Sequence, residues 1–262
     1  MTQPSRAAPP TTDVYFFATC VVDQFFPGAG LDAIRLLERE GLRVHFPADQ
    51  TCCGQPAYTS GFHDQARQVA STQLDLFPEP WPVVVPSGSC AGMMKHHYPS
   101  LFAADPALKA KAEALSARIY EFTEFLVKVL GIKLADRGAP ATVVLHTSCS
   151  ARREMGVHLT GRALLDQLGQ VTVARQDHEA ECCGFGGTFS VKHPEISGAM
   201  VKDKVDALKA TGAERVVSAD CGCLMNILGH AAWRDQQEGR SQPTLPGEHI
   251  ATFLLKRTEQ AQ

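Results

Sequence analysis

Short apolar runs alternate with longer amphipathic segments along this chain, and the alternation occurs twice. Val14–Ala18 (VYFFA) is a β-rich run ending just before Cys20. Leu31–Glu40 (LDAIRLLERE) has the three-and-four spacing of a helix with one apolar face, and Gly41 stops it. Leu42–Phe46 reads as a strand leading toward Cys52, Asp64–Phe77 as a helix, and Val83–Val85 as a short buried strand between prolines, with Cys90 after it. The second pass repeats this order. Thr142–Leu145 precedes Cys149, Arg162–Leu168 is helical, and Val171–Ala174 is a strand before Cys182. Pro194–Ala210 is a long helix, and Arg215–Ser218 is a strand before Cys223. Such alternation predicts α/β architecture with parallel sheets covered by helices on both faces. The expected layout is a tail over 1–12 rich in Pro, Thr and Ser, a first repeat over 13–130, a linker Gly131–Pro140 (GIKLADRGAP) and a second repeat over 141–262.

The cysteines obey the same repeat. Cys149 follows Cys20 by 129 positions, Cys182 and Cys183 follow Cys52 and Cys53 by 130, and Cys223 follows Cys90 by 133. A near-constant offset of half the chain marks the duplication of one unit. Most of these cysteines stand a few residues after a predicted strand. In open parallel sheets that is the edge where ligands bind, so residues far apart in sequence converge there.

Composition narrows the chemistry. The 262 residues are 44% hydrophobic and 20% charged, with a net charge of −3, which suits a globular protein and gives no push toward nucleic acid or an anionic membrane. No apolar run reaches the roughly 20 residues of a spanning helix, and the first residues carry no secretory h-region, so a cytoplasmic location is expected. Nine cysteines, two pairs of them adjacent, make a poor disulfide framework. Clustered thiols in a reducing compartment point to metal. Zinc usually takes C-x2-C knuckles, absent in either half, whereas adjacent cysteines suit a multi-iron cluster whose neighbouring ligands reach different metal atoms. Iron–sulfur is therefore preferred over zinc, with zinc in one repeat as an alternative.

The segments Val85–Pro99 (VPSGSCAGMMKHHYP), Cys182–Ser197 (CCGFGGTFSVKHPEIS) and Cys221–His230 (CGCLMNILGH) carry a resemblance. They resemble the CCG domain found in heterodisulfide reductase and in the glycolate oxidase iron–sulfur subunit. They resemble more closely the lactate utilization protein A family of short two-repeat proteins, over about residues 13–256. The resemblance implies two duplicated Rossmann-like units related by a pseudo-two-fold axis. It also implies an iron–sulfur, electron-transfer subunit in the oxidation of L-lactate to pyruvate. The implied partners are a ferredoxin-like iron–sulfur protein and a third lactate-utilization protein. The ligands it implies are Cys20, Cys52, Cys53 and Cys90 in one repeat and Cys149, Cys182, Cys183 and Cys223 in the other, for one or two [4Fe-4S] clusters. A thiol–disulfide reductase of the heterodisulfide type and a zinc-stapled scaffold are the competing functions.

Reductase-type relatives hold non-cubane clusters with five cysteines and a closing C-x-x-C. This chain departs from that pattern with Ser87-Gly88-Ser89-Cys90 and Cys221-Gly222-Cys223. Local match selects Cys223 as the ligand and leaves Cys221 as an extra. Spacing alone favours Cys221. Further positions keep more than one reading. His96 and His97 would either replace a missing ligand or face solvent. His146 would either tune a cluster by hydrogen bonding or be a satisfied core histidine. Arg152 and Arg153 would offset cluster charge, grip a carboxylate, or form a solvated pair.

Overall fold

The structure, a computed structural model, describes residues 12–259. All but the last residue of the expected tail lies outside them. The first half runs β1 (Asp13–Phe16), α1 (Cys20–Phe25), α2 (Pro27–Arg39), β2 (Arg43–His45), α3 (Gln55–Thr59), α4 (His63–Gln73), β3 (Val83–Val85) and α5 (Gly88–Gly92). A π-helical turn, Met93–His97, leads into α6 (Tyr98–Leu101), α7 (Pro106–Ser116), β4 (Ile119–Glu121) and α8 (Phe122–Glu124), which continues as a second π-helical turn, Phe125–Val129. The second half runs β5 (Ala141–His146), a π-helical turn Ala151–Met155, α9 (Val157–Leu165), β6 (Val171–Ala174), α10 (Phe189–Lys192), α11 (Pro194–Ala210), β7 (Arg215–Ser218), α12 (Cys221–Gln237), β8 (Gly247–His249) and α13 (Ile250–Thr258).

The strands form two four-stranded, all-parallel sheets of the same order, β2-β1-β3-β4 and β6-β5-β7-β8. The α/β class and the duplication expected from the sequence are both present. The expected strands Val83–Val85, Val171–Ala174 and Arg215–Ser218 and the helix Pro194–Ala210 have the expected bounds. Others shift. The helix expected from Leu31 begins at Pro27, because proline suits the first helical turn. The one expected over Asp64–Phe77 ends at Gln73, and the one expected from Arg162 begins at Val157, just after Gly156 in a left-handed conformation.

Strand register places the halves residue on residue. Tyr15 and Phe16 pair with Val83 and Val84, while Val144 and Leu145 pair with Val216 and Val217. Ser87 and Asp220 take the N-cap positions of α5 and α12. Phe17 therefore corresponds to His146, Ser87 to Asp220, and Cys90 to Cys223. The glycine contacts fix a second stretch. A Cβ on Gly54 would meet Ala66 and Val69, and one on Gly184 would meet Ser197 and Met200. That aligns α4 with α11 and sets Gln73 opposite Lys204.

The halves are not merely joined end to end. After its last strand, each sends its terminal helix onto the other. α13 packs on α2, where Thr252 donates to Asp32 (2.7 Å) and Arg39 donates to Thr258 (2.8 Å). α8 packs on α9, with Thr123 and Thr160 sharing a buried hydroxyl hydrogen bond of 2.7 Å. One buried apolar cluster accordingly contains residues of both halves, from Val14 to Leu255. Residues 131–140 hold no helix or strand, yet they are pinned: Arg257 on α13 donates twice to Asp136, at 2.9 and 2.8 Å. Among the described residues no helix is long and apolar enough to cross a membrane.

Candidate metal centre

Each half gathers its four expected cysteines at the carboxyl edge of its sheet. Cys20 opens α1 directly after β1, and Cys90 lies in the first turn of α5 after β3. Cys223 lies likewise in α12 after β7, and Cys149 follows β5. The Cys-Cys-Gly segments come in from the loops after β2 and β6. In each of these, the glycine N–H donates back to the sulfur of the first cysteine, at 3.4 Å from Gly54 to Cys52 and 3.3 Å from Gly184 to Cys182. Both glycines have φ of +83°, and a Cβ there would come within 3.3 Å of the Ala66 carbonyl and 2.8 Å of the Ser197 carbonyl. Backbone hand and close approach both demand glycine. The carbonyl of the second cysteine is held as well: Tyr98 donates to Cys53 at 3.0 Å, and Asn226 donates to Cys183 at 2.8 Å.

The sulfurs form the same chain in both halves. Cys20 contacts Cys52, Cys52 contacts Cys53, and Cys53 contacts Cys90. In the second half the chain runs Cys149, Cys182, Cys183, Cys223, and its last link is 3.1 Å between sulfurs. Such packing suits few thiolates at once. The hydrogen bonds from Cys20 and Cys53 hold Cys52 down to about 3, and Cys20 is pushed up by the same contact and by burial. Cys53 is raised by its contacts with Cys52 and Cys90 and by burial. Cys149 is raised by its bond to Cys182 and by burial. The contact with Cys182 would lower Cys183, but its hydrogen bond with Cys223 and burial outweigh that and raise it; for Cys223 the bond with Cys183 would lower it, but burial and the charge of Asp220 raise it. Four crowded thiols that resist ionising together are a donor set completed by cations, and soft sulfur donors select iron–sulfur clusters or zinc.

Both sets open onto one cleft of about 740 Å³ between the halves. Asp220 ties its two sides together. Its buried carboxylate accepts from Ser87 (2.9 Å), from the N–H and hydroxyl of Ser89 (3.1 and 2.8 Å) and from Ser148 (2.8 Å). These residues precede Cys90 and Cys149, so Asp220 fixes cysteine loops of both halves. Gly88 packs against Ala151 so closely that a Cβ would come within 2.3 Å of that side chain. Cys221, the residue corresponding to Gly88, stands outside the sulfur chain. Burial, then the charges of Asp220 and Cys90, push its thiol up.

The positions with more than one reading separate clearly. His96 and His97 are both engaged by Glu154, at 3.2 Å to its carbonyl and 3.3 Å to its carboxylate, although His97 also lines the cleft. Arg152 pairs with Glu179 at 2.9 Å, whereas Arg153 lines the cleft and its charge favours the Cys149 thiolate. His146 is fully buried but not satisfied, because neither ring nitrogen has a hydrogen-bond partner. Burial, with Lys204 nearby, depresses it to about 3, so the ring is neutral.

Asp220 and Lys204 escaped the sequence reading. Lys204 left a signal, since it sits on the buried stripe of α11 with Ser197, Val201, Val205 and Leu208. Asp220 left only its position before Cys221.

The cysteine-rich domain family named CCG matches twice, over residues 14–95 and 143–228, taking in all nine cysteines. Lactate utilization protein A of Shouchella clausii is 44% identical over 244 residues, covering 92% of this chain and 98% of that protein. Lactate utilization protein A 1 of Bacillus mycoides is 46% identical over 248 residues, covering 94% and 98%. The Bacillus subtilis protein of the former name is 41% identical, covering 93% and 99%. A hypothetical protein from Helicobacter pylori, known by crystal structure, shares the fold with a TM-score of 0.68 at 11% identity, over 99% of this chain and 51% of that one. The chain belongs to the lactate utilization protein A family, with the CCG cysteine-rich domain present in both of its halves.

Proposed function

We propose that each half holds an iron–sulfur cluster and that the chain is an electron-transfer subunit of a system oxidising L-lactate to pyruvate. The ligands are Cys20, Cys52, Cys53 and Cys90 in the first half and Cys149, Cys182, Cys183 and Cys223 in the second. The observation that carries this reading is the pair of four-membered sulfur chains facing one cleft. The names of the relatives support lactate utilization as the setting. Such clusters, when bound, take up and release single electrons. The chain's own residues prepare for them. Thiol protons leave on metal binding. The Gly54 and Gly184 N–H groups stabilise sulfur charge, and Asp220 holds the loops of Cys90 and Cys149 in place before any metal arrives. The partners are a ferredoxin-like iron–sulfur protein and a third protein of the same system, with one partner docked over the cleft.

The open cleft favours one second reading, a cluster acting directly on a disulfide substrate. Anaerobically purified protein tests both. Iron and acid-labile sulfide are expected in roughly equal amounts, with a paramagnetic signal on reduction. The isolated chain is expected to form no pyruvate from L-lactate. Stoichiometric zinc without sulfide overturns the iron–sulfur assignment. Reduction of a disulfide by the isolated, reduced chain favours the second reading.

A further inference from the structure

The two sets of thiols are alike, but their surroundings are not. Phe17 follows β1, is fully buried, and stacks edge-on against Phe77 with ring centroids 6.3 Å apart. It is an ordinary apolar side chain in an apolar core. The strand register puts His146 in its place in the second half. A buried imidazole that makes no hydrogen bond is costly, and a phenyl ring at the equivalent site shows that the fold itself requires no polar group there. One ring nitrogen of His146 and the sulfurs of Cys183 and Cys223 all lie within 4.8 Å of one another. These are the two deepest thiols of the second set, both buried. Three soft or borderline donors around one point, each shielded from water, make a metal vertex.

We propose that His146 is a nitrogen ligand of the second metal centre, coordinating the metal ion that Cys183 and Cys223 also hold. The first centre is then bound by sulfur alone, and the second by sulfur and one imidazole. Mixed ligation makes the pair inequivalent, since a neutral nitrogen donor brings less negative charge to a metal than a thiolate and favours a higher reduction potential than sulfur ligation alone. Nearby groups leave the ring free for this role. Lys204 donates to the carbonyl of His178 and Gln176 to the Leu145 carbonyl; neither hydrogen-bonds the imidazole, and the Gln176 Oε1 is likewise buried without a partner.

This proposal rests on metal binding by the second set of thiols, and the test separates the two claims. The reduced, metal-free full-length protein is titrated anaerobically with Co(II), and the cobalt-loaded protein is examined by electronic absorption and by pulsed EPR for imidazole nitrogen coupling. Wild type and His146→Phe are compared. The wild type is expected to show nitrogen coupling from one of its two sites. The variant is expected to lose that coupling, to keep its first site, and to bind cobalt at the second roughly 10- to 100-fold more weakly. Metal-free His146→Phe is expected to melt at a higher temperature than metal-free wild type, because the unsatisfied ring is gone; this also establishes that the variant folds. Cobalt bound at both sites without nitrogen coupling, and with equal affinity in the variant, overturns the ligand role and leaves the thiol assignment standing. Failure of wild type to bind cobalt at the second thiols overturns both.

Discussion

The first half of the molecule and the second are the same machine in backbone and sulfur, and different machines in what surrounds the sulfur. Strand order, the left-handed glycine of each Cys-Cys-Gly segment and the four-sulfur chain recur almost residue for residue. Several buried positions do not. Besides Ser87 against Asp220 and Gly88 against Cys221, Phe17 corresponds to His146, Gln73 to Lys204 and Glu121 to His249, the last two being the residues that end β4 and β8 and cap α8 and α13. In the first half Gln73 holds Thr51 through a neutral hydrogen bond of 2.7 Å, whereas Lys204 brings a buried ammonium toward the second set of thiols. Duplication has kept the residues that place the cysteines and released those that set the local electrostatics, so metal centres at the two sets, as proposed above, are expected to differ in potential more than in geometry.

The largest effect expected from breaking this comparison is loss of one centre at a time. Cys53→Ser and Cys183→Ser should each remove about half of the bound metal, measured by anaerobic metal analysis, and each should spare the other half. Cys223→Ser should behave like Cys183→Ser, while Cys221→Ser should retain most metal, because Cys221 corresponds to Gly88 and not to Cys90. Greater loss from Cys221→Ser would refute that register.

Next in size is the joint. Asp220→Ala leaves three hydroxyls and a backbone N–H without their buried acceptor, which should cost roughly 4 kcal/mol in denaturant unfolding of the metal-free protein. Ser87→Ala at the corresponding position of the first half should cost about 1 kcal/mol. Similar costs for both would show that the carboxylate is not the common anchor.

Glu121 and His249 should respond differently to pH. Burial raises Glu121 to about 8, against capping hydrogen bonds from Thr123 and Glu124 that lower it. A carboxyl whose folded value lies above its unfolded one stabilises fully below the unfolded value, near 4.5, and loses that contribution as pH rises to about 8. Glu121→Gln should therefore flatten the fall in stability between pH 5 and 8, by on the order of 3 kcal/mol. An unchanged pH profile would assign the fall to other groups. His249 is lowered by burial, with its Nε2 on the Pro86 carbonyl and its Nδ1 accepting from Ala251, so its contribution to stability is full above its unfolded value and is lost as pH falls from there through its folded one.

The smallest expected effect is electrochemical. Removing the ammonium in Lys204→Gln should lower the potential of the second centre by about 50 mV, near 1 kcal/mol for one electron, and leave the first unmoved. Gln73→Lys should do the reverse at the first. Potentiometric titration followed by EPR reads both, and equal shifts at the two centres would break the comparison.

How far these features can be read from the chain depends on contrast with their neighbours. Val83–Val85 is plain because two prolines fence three valines. Ile119–Glu121 and Gly247–His249 go unread because a three-residue strand that ends in a polar residue has no period to detect. The three π-helical turns differ from α-helix only in hydrogen-bond register, which leaves no pattern of residue types. The cysteine positions are legible through their repeat. That Cys223 and not Cys221 corresponds to Cys90 is visible only from the start of α12. His146 is ambiguous in sequence because a strand-end histidine is common in cores; what distinguishes it is the absence of a partner, which is visible only in three dimensions.

The exchange of α8 and α13 between the halves has a meaning for ancestry and for engineering. A lone half ends in a helix whose docking groove belongs to the other half. Two copies of one half would satisfy each other by trading those helices around a two-fold axis, and their cysteine loops would then face a common cleft. The present chain has the form of such a dimer with its subunits fused through residues 131–140. Cutting there and supplying the pieces together should restore the assembly, whereas either piece by itself should be found paired with its own copy or not folded at all.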